Sequence, residues 1–105
     1  MRKVLVVDSG VGGLNVLDRL VELRRDIDYI YFADEGHCPY GIRTADEVVQ
    51  RVTGICRVFV NVVDGVVLAC NTASVCMQGT NGKNAFSDLQ ACFADNVEVI
   101  TTIQP

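Results

Sequence analysis

Apolar and polar positions change period block by block along this chain, and each change marks an element. Residues 3–7 form a short β-branched run that predicts a strand. Leu14, Leu17, Leu20 and Val21 then fall three and four apart, the face of a helix. Residues 28–33, Asp-Tyr-Ile-Tyr-Phe-Ala, read as a second strand, followed by a loop over 34–43 that holds Pro39 and Gly41. Thr44-Ala45-Asp46-Glu47 is a capping box opening the next helix. Its apolar face runs through Val48, Val52, Ile55, Phe59 and Val63, widened by Val49, Cys56 and Val60.

Residues 65–69 are continuously apolar, as a strand buried on both faces requires. Thr72-Ala73-Ser74 opens a third helix, which the polar, turn-rich stretch 79–84 breaks. Helical spacing resumes over Phe86, Leu89, Ala91, Cys92 and Phe93, and residues 97–103 offer a fourth strand. The βαβαβαβ order predicts an α/β fold, a small parallel sheet with helices on both faces, in a single domain over 1–105. In such sheets ligands bind beyond the carboxyl ends of the strands. Three loops leave those ends, at 8–13, 34–41 and 70–74, and they are expected to converge on one crevice.

Composition narrows the function. Half of the 105 residues are hydrophobic and 21% are charged, which excludes disorder. No run of 18 apolar residues exists, so no membrane span is expected. The apolar start is cut short by Asp8 and Ser9, too soon for a secretion signal. Nine basic residues against thirteen acidic ones give a net charge of -4. The basic residues form no stripe, so nucleic acid is not an expected partner. Five cysteines without C-x-x-C spacing, and one histidine, suit neither a disulfide framework nor a metal site. A reducing cytoplasm fits such thiols.

The chemistry concentrates in the three loops. Cys70 ends the third strand and begins the third helix, beside unpaired backbone N–H groups and the positive end of the helix dipole. That setting favours the thiolate, the form that acts as base or nucleophile. The plainer reading of a cysteine is a small core hydrophobe. Cys56 and Cys92 fit that reading, Cys76 is expected near a helix start, and Cys38 is a loop thiol beside His37. With no well-placed histidine, a papain-like protease is disfavoured.

Asp8-Ser9-Gly10-Val11-Gly12-Gly13 matches neither G-x-G-x-x-G nor a P-loop. It is either a carboxylate-binding turn at a helix N-terminus or a tight β-α turn that Asp8 merely caps. Pro39-Tyr40-Gly41 offers a phenol and close backbone approach, or is a turn with an aromatic plug.

Taken together, Asp8-Ser9-Gly10-Val11-Gly12-Gly13-Leu14, Tyr31-Phe32-Ala33-Asp34, Pro39-Tyr40-Gly41 and Ala69-Cys70-Asn71-Thr72-Ala73-Ser74 resemble the glutamate racemase family. The resemblance covers most of residues 1–75 and, weakly, the last strand. It implies a flavodoxin-like half of a two-lobed enzyme that interconverts L- and D-glutamate without a cofactor, for peptidoglycan synthesis. Two cysteines then work on opposite faces of the substrate's α-carbon. By resemblance Cys70 is one of them and Asp8 assists it, while Asp8, Ser9, Tyr40, Gly41, Asn71 and Thr72 bind the substrate's charged groups. A carboxylate beside a thiolate opposes it, so Asp8 is expected to accept the proton or pair with the substrate ammonium.

The chain departs from the family in several places. Nothing after Ser74 reproduces the second Gly-Cys-Thr-His motif, residues 79–84 lengthen a connection, Glu35-Gly36-His37-Cys38 replaces a Thr-containing loop, and Gln104-Pro105 stands for Glu-Pro. The expectation is an amino-terminal half-domain with half of a two-base site. A sheet with open edges favours self-association or pairing with a second lobe. Two alternatives stay open: a non-catalytic domain that binds an amino acid or another chain, and a racemase acting on aspartate or a hydantoin.

Overall fold

The computed structural model of the chain describes residues 2–9, 14–37, 42–77, 89–91 and 98–101. Strand β1 (Arg2–Asp8) leads to helix α1 (Leu14–Leu23) and strand β2 (Ile27–Ala33). A 3-10 turn at Glu35–His37 precedes helix α2 (Ala45–Val58) and strand β3 (Gly65–Leu68). Helix α3 (Asn71–Met77) and strand β4 (Glu98–Thr101) complete the order. The strands form one parallel sheet in the order β2-β1-β3-β4. The stretch 79–84 and most of the helix expected around Phe86 lie outside the described residues, though residues 89–91 are helical.

Strand order decides which face each helix covers. The step from β1 to β2 runs one way across the sheet, while those from β2 to β3 and β3 to β4 run the other way. Right-handed crossovers therefore place α1 on one face and both α2 and α3 on the other. The registers Leu5↔Ile30, Leu5↔Val66 and Val66↔Val99 align one set of side chains on the α2/α3 face. There Leu5, Val7, Val66, Leu68 and Val99 pack against Val48, Val52 and Ile55 of α2 and Met77 of α3. Each such fully buried side chain contributes about 1.5–3 kcal/mol. Phe32 meets Phe59 edge to face at 6.4 Å, tying β2 to the end of α2.

Helix α2 starts where its sequence says. The Thr44 hydroxyl accepts from the Glu47 N–H, and the Glu47 carboxylate accepts from the Thr44 N–H. Its end comes earlier than the apolar face suggested, at Val58 rather than Val63. The N–H groups of Val62 and Val63 turn back to the Phe59 carbonyl at 2.9 and 3.2 Å. The chain must reverse here because Asp64 is pinned to β1. It accepts from Lys3 N–H through its carboxylate, and its own N–H bonds the Lys3 carbonyl. Val63 thus fills the core from a turn.

Helix α1 is amphipathic as expected, yet none of its residues is fully buried. Leu17 and Leu20 are half-covered, while Leu14 and Val21 stay exposed. The Tyr29 hydroxyl bonds the Leu20 and Arg24 carbonyls and anchors the end of α1 to β2.

Candidate active site

Backbone pairing carries the strand ends beyond the sheet proper and brings two loops to the same place. Asp34 N–H donates to the Asp8 carbonyl and Ala69 N–H to the Val7 carbonyl, both at 2.8 Å. The first residues after β1, β2 and β3 are consequently held side by side at the carboxyl edge.

Asp8 is only 3% exposed, and its carboxylate is held from two sides. Tyr31 Oη–H donates to Oδ2 at 2.6 Å, and Ser9 N–H donates to Oδ1 at 2.8 Å. Parallel pairing explains the first contact. Val6 faces Tyr31 across the ladder, so Asp8, two residues on, shares the Tyr31 face. Partial burial, and then the hydrogen bond to Asp8, push the Tyr31 phenol well above the ordinary tyrosine range. Tyr31 therefore stays a donor at physiological pH. The described contacts of the Asp8 carboxylate run to Ser9 and Tyr31, while the turn over 10–13 that it would cap lies outside the described residues.

Cys70 is half-buried, immediately precedes α3 and rests partly against the core cluster. Its carbonyl accepts from Ser74 N–H at 2.9 Å, which starts the helix. The thiol donates to Ser9 Oγ at 3.4 Å. When the thiol loses its proton, the Ser9 hydroxyl can rotate and donate to the sulfur instead. An unbroken line of contacts runs from Tyr31 through Asp8 and Ser9 to Cys70. That arrangement can hold a cation beside Asp8 and a proton-accepting sulfur one residue away.

The structure thus brings together Asp8, Ser9 and Cys70. Tyr40 and Gly41 lie outside the described residues, as do residues 10–13, Cys38 and Cys92. Asn71 and Thr72 open α3, with their side chains outside the described set. Cys56 is a core residue, as its helix face implied. Cys76 lies in α3, in the second turn after the helix opens at Asn71. Burial, and secondarily the nearby Cys70, raise its thiol pKa, so Cys76 is set against ionising. Among the described residues, no cluster of three or more His, Cys, Asp and Glu could hold a metal ion. No described helix is long and apolar enough to cross a membrane.

Two contributors were not legible as site residues. Tyr31 stood in a motif, but its bond to Asp8 needed the β1–β2 register. Arg51, on α2, grips the buried Asp34 carboxylate with Nε and Nη2 at 2.8 and 2.9 Å, and so fixes the start of the loop that leads to Tyr40. Only a folded α2 brings those residues together.

No family model matches the chain. Over 70 residues it is 51% identical to the glutamate racemase of Phenylobacterium zucineum, covering 66% of this chain and 25% of that protein. The glutamate racemase of Jannaschia sp. is 46% identical over the same length, covering 66% of this chain and 26% of that one. Among solved structures, Escherichia coli glutamate racemase in complex with L-glutamate and the activator UDP-MurNAc-ala is 34% identical, with a TM-score of 0.78. That likeness covers 95% of this chain and 35% of the enzyme. The glutamate racemase from Aquifex pyrophilus is 36% identical with a TM-score of 0.74, covering 94% of this chain and 36% of that one. The match spans about a quarter of the length of these curated relatives. Over that part, the chain is similar to glutamate racemases in both sequence and fold.

Proposed function

We propose that this chain supplies one half of a cofactor-independent glutamate racemase site, in which Cys70 is the base on one face of the substrate's α-carbon. The single observation that carries the reading is the Cys70–Ser9–Asp8 contact line at the carboxyl edge of the sheet. The similarity to glutamate racemases supplies the substrate.

An α-proton beside a carboxylate is very weakly acidic, so its removal needs both a base at close quarters and donors for the developing charge. In the proposed step the Cys70 thiolate takes the α-proton and becomes a thiol. The electron pair stays on the substrate as a carbanion, delocalised into the carboxylate. A proton delivered to the opposite face by a second acid, in an opposing lobe, completes inversion. Asp8 pairs with the substrate ammonium, which removes its repulsion toward the sulfur. Ser9, Tyr40, Gly41, Asn71 and Thr72 bind the remaining substrate groups by resemblance. The reaction supplies D-glutamate for peptidoglycan in the cytoplasm.

The test is incubation with L-glutamate in D2O, following the α-proton by NMR and the isomer ratio by chiral chromatography. Slow α-exchange that disappears in Cys70→Ala, with little D-isomer, is the expected result. Exchange that survives Cys70→Ala removes Cys70 as the base. Fast symmetrical racemisation by this chain alone overturns the half-site.

A further inference from the structure

We propose that Tyr31 is a positioning residue for the cysteine site, one that fixes the Asp8 carboxylate and, through Ser9, sets the surroundings of the Cys70 sulfur. The role of the sulfur itself rests on the function proposed above. The geometry that couples Tyr31 to it does not.

Three linked contacts carry the inference. Tyr31 Oη–H reaches Asp8 Oδ2 at 2.6 Å, Asp8 Oδ1 takes the Ser9 N–H at 2.8 Å, and Ser9 Oγ takes the Cys70 thiol at 3.4 Å. The first contact is a short hydrogen bond from a neutral hydroxyl to a carboxylate, a strong class. It approaches Asp8 from the neighbouring strand, whereas the Ser9 bond comes from the next residue. Together they clamp the two oxygens from different directions and hold the carboxyl plane. Without the phenol, Asp8 keeps the Ser9 bond but loses its side-chain contact from β2. The turn that carries Ser9 Oγ then loses its side-chain brace to β2, keeping the backbone bond from Asp34 N–H to the Asp8 carbonyl, and the contact at Cys70 loosens with it.

Strand register makes this placement specific. Tyr31 and Asp8 share a face only because Val6 pairs with Tyr31. Tyr29, on the same face two residues earlier, spends its hydroxyl on the Leu20 and Arg24 carbonyls at the end of α1. The two tyrosines of one strand therefore do different work: Tyr29 anchors a helix, and Tyr31 serves the site.

The test is a double-mutant cycle of Tyr31→Phe and Asp8→Asn in the full chain. It reads the rate at which iodoacetamide alkylates Cys70, resolved peptide by peptide, with and without L-glutamate. Tyr31→Phe removes one hydroxyl and little volume. We expect it to change the Cys70 rate by about tenfold in the wild-type background, and by much less when Asp8 is already Asn. Cys56, fully buried, is the control for general loosening and should stay unreactive in every variant. The proposal is overturned by an unchanged Cys70 rate in Tyr31→Phe, by equal effects in both backgrounds, or by Cys56 becoming reactive alongside Cys70. Glutamate protection is a separate readout. If glutamate fails to protect wild-type Cys70 while the cycle still shows coupling, the substrate reading falls and Tyr31 keeps its role.

Discussion

The two faces of the sheet are built to different standards. On the α2/α3 side, Leu5, Val7, Val66 and Leu68 meet two helices and are sealed from water. On the α1 side, the covering helix buries none of its residues completely, and Ile100 on β4 is 43% exposed. Tyr31 and Asp8 belong to this thinner side, and Cys70 leans on the dense one. The contrast teaches that one face supplies the apolar packing, while the edge between the faces carries the polar contacts of the proposed site. A polar pair such as Asp8 and Tyr31 is tolerated where apolar packing is incomplete and every buried polar atom finds a partner. Among the described residues, no buried side-chain nitrogen or oxygen lacks one.

The sharpest way to break this comparison is to make the same kind of cut on each face. Leu5→Ala should cost about 2–5 kcal/mol and leave little folded chain, whereas Ile100→Ala should cost well under about 1 kcal/mol. Urea unfolding followed by circular dichroism reads both, and similar losses would mean that the faces are equivalent. A smaller effect tests the polar edge of the dense face. Arg51→Ala leaves the Asp34 carboxylate, 3% exposed, without its bidentate partner. A loss of about 2 kcal/mol is expected, less than for a fully enclosed pair because the guanidinium is open to water. Arg51→Lys should recover only part of it, and full recovery would reduce the contact to simple charge.

The smallest effect belongs to the thin side. Past α1, Arg24 grips Asp26, and that hydrogen bond, aided by a backbone one, pulls the Asp26 carboxyl from 3.8 to about 2. A carboxylate with a depressed folded pKa stabilises above its unfolded value and loses that contribution as pH falls through the folded one. The wild-type advantage over Asp26→Asn should therefore be constant above pH 4 or so and fade toward pH 2. Both side chains are well exposed, so the difference in urea midpoint will be slight. An advantage that grows on acidification would contradict the assignment.

Much of the architecture was legible because local signals agreed with the global fold. The β-branched run at residues 3–7, the capping box at Thr44 and the apolar run before Cys70 each mark an element that the structure contains. The end of α2 was less legible. Spacing alone carried the apolar face on to Val63, whereas the stop at Val58 depends on Lys3 holding Asp64, a contact spanning 61 residues. The amphipathic pattern of α1 predicted full burial of its apolar face, whereas none of its residues is fully buried. At the site, strand-end positions identified Asp8, Ser9 and Cys70 as neighbours. The hydroxyl that braces Asp8 stayed hidden because register is a property of paired strands.

Sequence distance gives the site a place in time. Ser9 and Cys70 are 61 residues apart, so their contact waits until β3 docks beside β1 and closes a long loop. The neighbouring β1–α1–β2 unit closes over a far shorter stretch. A chain caught with β2 in place and β3 adrift would keep Asp8 against Tyr31 yet leave the sulfur without its serine. The Ser9–Cys70 contact is then later to form than the Asp8–Tyr31 one, and it is lost when β3 lets go.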